Sequence, residues 1–183
     1  MCEVFNAEEL IKKVKYDRFS KIVCVSNRVK DSFLKKHPNY NGKIVVANNY
    51  IDGQSIIEKS KDEVLDIDFS KTTLINIARH QEPPKRITRI IEAVKLLKEE
   101  KYQFQILLIG DGVDHQKYID MVNEYNLNDY IIFAGSVINP YKYLSKSNAL
   151  ILSSQYEGYG IVLDEARILN VPIITTDVAD ASY

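Results

Sequence analysis

The stretch NALILSSQYEGYGIVLDEARILNVPIITTD, residues 148–177, decides the fold that this sequence predicts. Its two apolar runs, residues 149–152 and 171–175, indicate buried strands, and apolar residues at helical spacing lie between them. The apolar residues on that helical face are Val162, Ala166 and Leu169. A polar loop ending in Gly158 and Gly160 precedes the helix, so the stretch reads as a βαβ unit. Open α/β sheets bind ligands at such strand-to-helix turns.

Two carboxylates bracket this turn. Glu157 lies in the loop and Glu165 lies eight positions later in the predicted helix. Because a helix rises about 1.5 Å per residue, the two are too far apart for a close acid/base pair. They suit a long ligand, with an acid near each end and the unpaired N–H groups of the helix start between them. Two ordinary surface glutamates fit the same pattern.

The order of these residues resembles the E-x7-E signature of the family 4 (group 1) glycosyltransferases. That family has the GT-B fold, in which two Rossmann-like domains face each other across a cleft. It typically has a serine, two residues, EGFG, a helix containing EA, and a strand that begins with proline. This chain has Ser154, EGYG at 157–160, EA at 165–166 and PII at 172–174. The resemblance covers residues 21 to about 180.

Whole-chain properties exclude several classes of protein. The 183 residues suffice for one domain or one domain plus a fragment, and 45% hydrophobic content is ample for a core. A net charge of -1 gives no electrostatic case for nucleic acid. No apolar run reaches the roughly 20 residues of a membrane span. Cys2 and Cys24 are expected to be free thiols, Cys24 in a strand core, and the acidic N-terminus is unlike a signal peptide, which together predict a cytoplasmic protein.

The alternation of apolar runs and amphipathic segments after residue 72 predicts the fold class. Expected strands are 73–78, 104–109 and 130–134, and expected helices are 84–100, 115–125 and 140–145. The buried face predicted for the helix 84–100 consists of Ile87, Ile90, Ile91, Val94 and Leu97. Continuous apolar strands that alternate with helices are typical of a parallel sheet covered on both faces. The chain is therefore predicted to form a doubly wound, Rossmann-like α/β domain, and the resemblance implies the C-terminal half of a GT-B fold.

The first part of the chain predicts a helix, a strand, a helix and a strand. Their expected ranges are 7–16, 21–26, 29–36 and 42–47, with Asn27 as the cap of the second helix and His37 at its end. The charged segment 56–70 is expected to be a loop or a short helix. The resemblance implies that residues 1–42 are the end of an N-terminal acceptor domain and a linker. Residues 43–183 would then be a donor-binding domain, incomplete at its C-terminus, whose exposed apolar surface predicts self-association.

Cations follow the predicted strand 73–78. Arg79 and Lys85 can bind phosphate, arginine in bidentate fashion and lysine as a point charge, although exposed cations are also commonplace. The resemblance implies that both contact the diphosphate of a donor; the family's usual glycine before the arginine is Ala78 here. The turn Gly110–Asp111–Gly112 resembles a family turn and is expected to serve backbone conformation. His80 and His115 are expected to be solvated loop residues.

The resemblance also implies which residues hold the rest of a nucleotide sugar. The loop Gly135, Ser136 and Val137 would lie along the base, and Glu165 would hold the ribose hydroxyls. Glu157 would hydrogen-bond the transferred sugar. The segment that would present backbone N–H groups to the diphosphate is Gly158, Tyr159, Gly160 and Ile161.

The function implied is the donor-binding part of a retaining glycosyltransferase, a transferase of the hexosyl type. It would move a sugar from a nucleotide diphosphate sugar to a saccharide or lipid-linked acceptor in cell-surface polysaccharide synthesis. The acceptor would bind the N-terminal domain, most of which these residues do not include, so the isolated chain is expected to be inactive. The full-length protein would work at the inner face of the membrane. No cofactor and no metal are expected, because no His, Cys and carboxylate group has metal-ligand spacing.

Three alternatives remain open at the level of the sequence. A nicotinamide-dependent dehydrogenase would need G-x-G-x-x-G after a strand, but position 115 is His115. A nucleotide-sugar 2-epimerase shares the fold and the donor. A non-catalytic nucleotide-sugar-binding fragment would need the same donor site and no acceptor.

Overall fold

The structure, a computed structural model, describes residues 14–178. The chain divides into two compact units, Met1–Asn48 and Asn49–Tyr183. Cys2 and residues 7–13 of the first predicted helix lie outside the described residues. Residues 14 and 15 are not helical, and Tyr16–Arg18 forms a short 3-10 helix, so the described end of that helix prediction is wrong.

The first unit contains a two-stranded parallel sheet with a helix between its strands. Its elements are β1 (Ile22–Cys24), α1 (Asn27–Lys36), a 3-10 helix (Pro38–Lys43) and β2 (Ile44–Val46). The predicted strand–helix–strand order is confirmed, and Cys24 is buried. The predicted cap is one residue late: the Ser26 hydroxyl accepts the Val29 N–H at 3.2 Å, and Asn27 is already helical. Because β2 pairs with β1, residues 44–46 belong to this unit, whereas the predicted boundary placed them in the next.

The second unit is a five-stranded parallel sheet flanked by helices. Its strands are β3 (Thr73–Ile77), β4 (Gln105–Ile109), β5 (Ile131–Gly135), β6 (Ala149–Leu152) and β7 (Ile173–Thr175). Its helices are α2 (Gly53–Lys59), α3 (Ile87–Glu99), α4 (His115–Glu124), α5 (Tyr141–Leu144) and α6 (Ile161–Ile168). The predicted doubly wound α/β fold is confirmed.

The order of strands in this sheet is β5-β4-β3-β6-β7, and all neighbouring pairs are parallel. The chain therefore starts in the middle with β3, builds outward to β5, and returns to build the other half from β6. The strand order reverses between β3 and β6. The helices that follow these two strands, α3 and α6, pack on opposite faces of the sheet, and a crevice forms between them at the carboxyl ends of the strands.

Hydrophobic cores cover both faces of the sheet. On β4, Ile106 and Leu108 pack with α3 and α4, whereas Leu107 and Ile109 point to the opposite face and pack with α5 and α6. This alternation follows from the two-residue period of a strand, and full burial of both sets explains the continuous apolar run. On α3 the predicted apolar face is buried except for Leu97, which is 39% exposed.

Two helix boundaries differ from the prediction for identifiable reasons. Helix α2 begins at Gly53 because the Asp52 carboxylate accepts the Ser55 N–H at 3.0 Å, and Ile56 anchors the helix by burial. Helix α3 begins at Ile87 rather than residue 84, because Arg86 adopts the left-handed conformation with φ of 51°. The left-handed residue ends the preceding loop and delays the helix.

Candidate active site

The loops that follow β3 and β6 meet at the point where the strand order reverses. The Gln155 N–H donates to the carbonyl of Pro84 at 2.8 Å. The buried Ser153 hydroxyl lies 3.0 Å from the carbonyl oxygen of Lys85 and 2.7 Å from that of Arg86. The Arg86 guanidinium in turn donates to the side-chain oxygen of Gln155. These contacts join two loops that are nearly 70 residues apart in the sequence.

An ion pair lies at the centre of the joined loops. The Lys85 ammonium donates to Glu157 Oε1 at 2.6 Å, and the Ser154 hydroxyl donates to the same oxygen at 2.7 Å. The Lys85 and Glu157 side chains are only 23% and 11% exposed. The sequence predicted both residues as parts of one site but not their direct contact. Nothing in the local sequence signals the pair, because it depends on β3 and β6 being neighbours.

A cavity of about 590 Å³ opens beside this ion pair. Its lining residues are Arg79, Gln81, Pro84, Lys85, Tyr156, Glu157 and Gly158. The structure therefore brings together the two predicted cations, one predicted carboxylate and the first glycine of the predicted anion-binding turn. Arg79 is exposed and Glu157 is largely buried, so a ligand in the cavity meets an exposed positive group and a negative group that is held by hydrogen bonds.

A second cavity of about 380 Å³ lies on the β4 and β5 side of Arg79. Its lining residues are Ile77, Ala78, Arg79, Ile109, Gly110, Asp111, Ser136, Val137 and Pro140. Arg79 lines both cavities. The loop that was predicted to lie along a nucleotide base contributes Ser136 and Val137, and Gly135 begins it with φ of 66°. The two cavities thus share Arg79. The predicted diphosphate and sugar contacts line the larger cavity, and the predicted base contacts line the smaller one.

The turn after β4 requires glycine at two positions. Gly110 has φ of 136°, and a Cβ there would lie 2.0 Å from the carbonyl oxygen of Ala78. A Cβ on Gly112 would lie 2.3 Å from the carbonyl oxygen of His80. The turn therefore closes directly over the backbone of the Arg79 loop, and the expected conformational role of these glycines is confirmed.

This closure explains an incorrect prediction about the histidines. His80 was expected to be a solvated loop residue, but it is fully buried, and its Nδ1 lies 2.7 Å from Nδ1 of His115, which is itself partly buried. Burial lowers the pKa of His80 to about 4; the neighbouring His115 adds to the lowering and Asp111 opposes it. His80 is therefore neutral at physiological pH, and its ring stacks on that of His115.

The start of α6 has the geometry that was predicted from its glycines. Gly160 caps the helix in the left-handed conformation, with φ of 79° and ψ of 50°. Its carbonyl accepts the Leu163 N–H at 2.8 Å, and Ile161, the first helical residue, is 44% exposed. Tyr159 precedes the cap and is partly buried. The positive end of the α6 dipole therefore lies just after Gly158 in the chain, and Gly158 lines the larger cavity.

Glu165 lies further along α6 and has a partner that the sequence did not reveal. The hydroxyl of Tyr141, in α5, donates to Glu165 Oε1 at 3.0 Å. Burial raises the pKa of the Glu165 carboxyl, the bond from Tyr141 opposes that effect, and Asp164 adds to it. Burial and the nearby Glu165 carboxylate also raise the pKa of Tyr141, so the tyrosine is the proton donor.

Among residues 14–178, no three His, Cys, Asp or Glu side chains are arranged to hold a metal ion. Within the same described part of the chain, no helix has the length and apolar character needed to cross a bilayer.

Comparison with known proteins identifies the class. Residues 57–182 match the family described as glycosyl transferases group 1, and the chain belongs to this family. The resemblance carried by the E-x7-E residues is therefore confirmed, and the fold is the C-terminal half of the GT-B architecture.

Individual relatives cover different shares of the chain. An N-acetyl-alpha-D-glucosaminyl L-malate synthase from Bacillus anthracis is 28% identical over 141 residues, which are 75% of this chain and 36% of that enzyme. A Campylobacter jejuni N-acetylgalactosaminyltransferase that acts on a diphospho-undecaprenol-linked saccharide is 26% identical over 74% of this chain and 35% of its own length. The chain spans little more than a third of these relatives.

Solved structures share the fold over nearly the whole chain. TarM from S. aureus, solved with UDP, has a TM-score of 0.75 at 20% identity and covers 99% of this chain, which corresponds to 35% of TarM. HepE from Anabaena, solved with UDP and glucose, has a TM-score of 0.75 at 18% identity over 91% of this chain and 47% of HepE. At these identities the comparison shows the fold alone.

Proposed function

We propose that this chain is the donor-binding part of a retaining glycosyltransferase that uses a nucleoside diphosphate sugar. The observation that carries the proposal is the cavity in which Arg79, Lys85 and Glu157 converge where the strand order reverses. Support comes from family membership and from fold neighbours that were solved with UDP and with UDP-glucose.

The two cations suit the diphosphate. Arg79 lies between both cavities and Lys85 lies in the larger one, so a diphosphate between base and sugar would contact both. Charge-assisted hydrogen bonds from these groups stabilise the negative charge that grows on the leaving group as the sugar departs. The N–H groups at the start of α6, beyond Gly160, would add further positive partial charge near the diphosphate without a metal ion. In this proposal the role of Arg79 and Lys85 is to stabilise the leaving group.

The two carboxylates suit hydroxyl groups at opposite ends of the donor. Glu157 lines the larger cavity and would hydrogen-bond the transferred sugar. Glu165 lines neither of the two cavities described above, and it would hold the ribose hydroxyls from its place on α6 beside Tyr141. Glu157 is held by Lys85 and Ser154, which suits a residue that orients a ligand rather than one that forms a covalent bond. Attack by the acceptor on the face from which the diphosphate leaves would preserve the anomeric configuration.

The Lys85–Glu157 pair also orders the site before a donor binds. A partly buried ion pair that loses one partner leaves an uncompensated charge, so each residue constrains the other. A bound diphosphate would share the lysine, and Glu157 would keep Ser154 as a hydrogen-bond donor while it turns to the sugar.

The acceptor and the cellular setting are part of the same proposal. The acceptor would be a saccharide or lipid-linked saccharide, held by an N-terminal domain, in cell-surface polysaccharide synthesis at the inner, cytoplasmic face of the membrane. The relative that acts on a diphospho-undecaprenol-linked saccharide supports this class of acceptor. Self-association of the chain remains a prediction, which rests on the apolar surface that it is expected to expose.

Product analysis tests the proposal. A polypeptide that joins this chain to its acceptor-binding domain is incubated with radiolabelled nucleoside diphosphate sugars, with and without a saccharide acceptor. We expect an acceptor-dependent glycoside that retains the anomeric configuration of the donor, and we expect Arg79→Ala to reduce it far more than the control Arg89→Ala, which changes an exposed residue of α3. A changed sugar nucleotide formed without acceptor would instead identify a 2-epimerase, and an inverted product would refute the retaining mechanism.

A further inference from the structure

Tyr141 approaches Glu165 from a different element of the fold. The two residues are 24 positions apart, and the tyrosine hydroxyl donates to Oε1 at 3.0 Å. Both side chains are partly buried, so water competes poorly for this hydrogen bond. The bond engages one carboxylate oxygen, and within residues 14–178 the structure gives Glu165 Oε2 no hydrogen-bond partner.

The position of Tyr141 is fixed independently of Glu165. The side-chain oxygen of Asn139 accepts the Tyr141 N–H at 3.1 Å, and the Asn139 amide donates to the Lys59 carbonyl and to Asp62, each at 2.8 Å. The other end of this short helix is anchored by the buried side chains of Tyr143 and Leu144. Because α5 is held at its start by Asn139 and at its end by two buried side chains, the position of Tyr141 is fixed.

We infer that Tyr141 is a positioning residue for nucleotide binding, which holds the Glu165 carboxylate so that its free oxygen accepts hydrogen bonds from the ribose. The inference rests on the proposed function, because it takes Glu165 as the ribose-binding residue. A carboxylate on a helix can rotate about three side-chain bonds, and one fixed oxygen removes most of that freedom before the ligand arrives. Tyr141 acts through Glu165 and does not itself touch the nucleotide.

The chemistry of the contact favours the ionised carboxylate. Burial raises the pKa of Glu165 and Asp164 on the same helix raises it further, whereas the tyrosine hydroxyl lowers it. A protonated carboxyl would lose an acceptor position that a ribose hydroxyl needs. The tyrosine thus supports both the orientation and the charge of the group.

The position of α5 also links the ribose site to the base side of the nucleotide. Pro140 lines the smaller cavity together with Ser136 and Val137, and it immediately precedes Tyr141. The segment that would lie along the base therefore leads directly into Tyr141, the residue that orients Glu165 for the ribose. Loss of the hydroxyl is expected to weaken recognition of the ribose hydroxyls and to leave the base and diphosphate contacts in place.

The test compares a nucleoside diphosphate with its 2′,3′-dideoxy analogue by isothermal titration of the 183-residue chain. The probe is whichever of the uridine, guanosine and adenosine diphosphates binds most tightly. We expect Tyr141→Phe to reduce the preference for the ribonucleotide about five- to tenfold, which is within the effect of one typical net hydrogen bond. Tyr143→Phe is the matched control: it removes a hydroxyl on the same helix that bonds Asp66, and it should leave the preference within about twofold.

A double variant distinguishes positioning from a general structural effect. If Tyr141 acts through Glu165, Tyr141→Phe has no further effect on the preference in a Glu165→Ala background. Thermal melting of each variant verifies that the fold is retained before titration. An unchanged preference in Tyr141→Phe, or additive losses in the double variant, overturns the inference and leaves the proposed function standing. If the unaltered chain binds none of the three diphosphates, the proposed function fails and the inference fails with it.

Discussion

The ion pair between Lys85 and Glu157 makes the two side chains interdependent. The Lys85 and Glu157 side chains are only 23% and 11% exposed, so removal of either charge leaves the other charge unpaired and largely shielded from water. Truncation of either residue to alanine therefore measures two effects together: the loss of its own side chain and the cost of leaving its partner's charge unpaired. A substitution that preserves shape and hydrogen bonds but removes charge separates the two effects.

Glu157→Gln is such a substitution. The amide oxygen can still accept from Lys85 and Ser154, so the loop should keep its shape, but the negative charge that orients the sugar is lost. In a polypeptide with its acceptor domain, we expect turnover to fall more than donor affinity, because the contact matters most as the sugar moves. Steady-state kinetics measure both quantities, with Glu92→Gln on the exposed surface of α3 as the control. Equal changes in kcat and donor affinity would show that Glu157 contributes to donor binding and has no special role as the sugar is transferred.

His80 predicts an acid sensitivity of folding. Its pKa is lowered to about 4 by burial, so below pH 6.5 the unfolded chain takes up a proton that the folded chain refuses. Stability is therefore highest above pH 6.5 and falls as the pH decreases toward 4, by about 2 kcal/mol between pH 7 and pH 5 from this residue. Urea unfolding at the two pH values measures the loss. His80→Gln should unfold more easily at pH 7 and lose less on acidification; an equal loss in both proteins would contradict this assignment.

At the scale of elements, the joined loops after β3 and β6 explain why α3 starts late. Arg86 takes the left-handed conformation, and its carbonyl and that of Lys85 are turned toward the buried Ser153 hydroxyl. The loop therefore depends on a side chain from the neighbouring strand end for its shape. Lys85 is therefore presented to the cavity by a tertiary contact rather than by the local sequence.

Ser153→Ala should destabilise the second unit by about 1–2 kcal/mol, because two partly buried carbonyl groups lose their shared donor. Ser145→Ala is the control, since its hydroxyl bonds two carbonyls at an exposed position and should cost under about 0.5 kcal/mol. Chemical unfolding of both variants gives the comparison. Equal stabilities would show that the Ser153 hydroxyl does not hold the loops together.

The same elements show what could be predicted from the sequence. Continuous apolar runs on β4 and β6 and the glycines at 110, 112 and 160 predicted the parallel sheet and its turns, because burial and backbone geometry restrict these positions to few residue types. The Lys85–Glu157 pair, the burial of His80 and the Tyr141–Glu165 bond could not be predicted. Each depends on contacts between segments that follow different strands, so each is decided by the strand order and not by the local sequence pattern.

At the scale of the whole molecule, the named donor contacts all fall within the unit Asn49–Tyr183. The chain spans little more than a third of the two relatives described above, and the proposal places the acceptor contacts in an N-terminal domain. We expect the 183-residue chain to bind nucleotide weakly and to transfer no sugar, because positioning of a second reactant can contribute roughly 7–11 kcal/mol. Incubation with radiolabelled donors and a sugar acceptor measures this. Robust acceptor-dependent transfer would place the acceptor site within these residues.

The central claim is that the cavity at the carboxyl ends of β3 and β6 binds the diphosphate of a nucleotide sugar through Arg79 and Lys85. Isothermal titration of the chain with uridine, guanosine and adenosine diphosphates, each beside its nucleoside, tests it most directly. We predict that one diphosphate binds more tightly than its nucleoside, and that Arg79→Ala or Lys85→Ala reduces the difference by about 1.5–3 kcal/mol while Arg89→Ala leaves it unchanged. Equal binding of nucleoside and diphosphate, or a difference that survives loss of both cations, would contradict the claim.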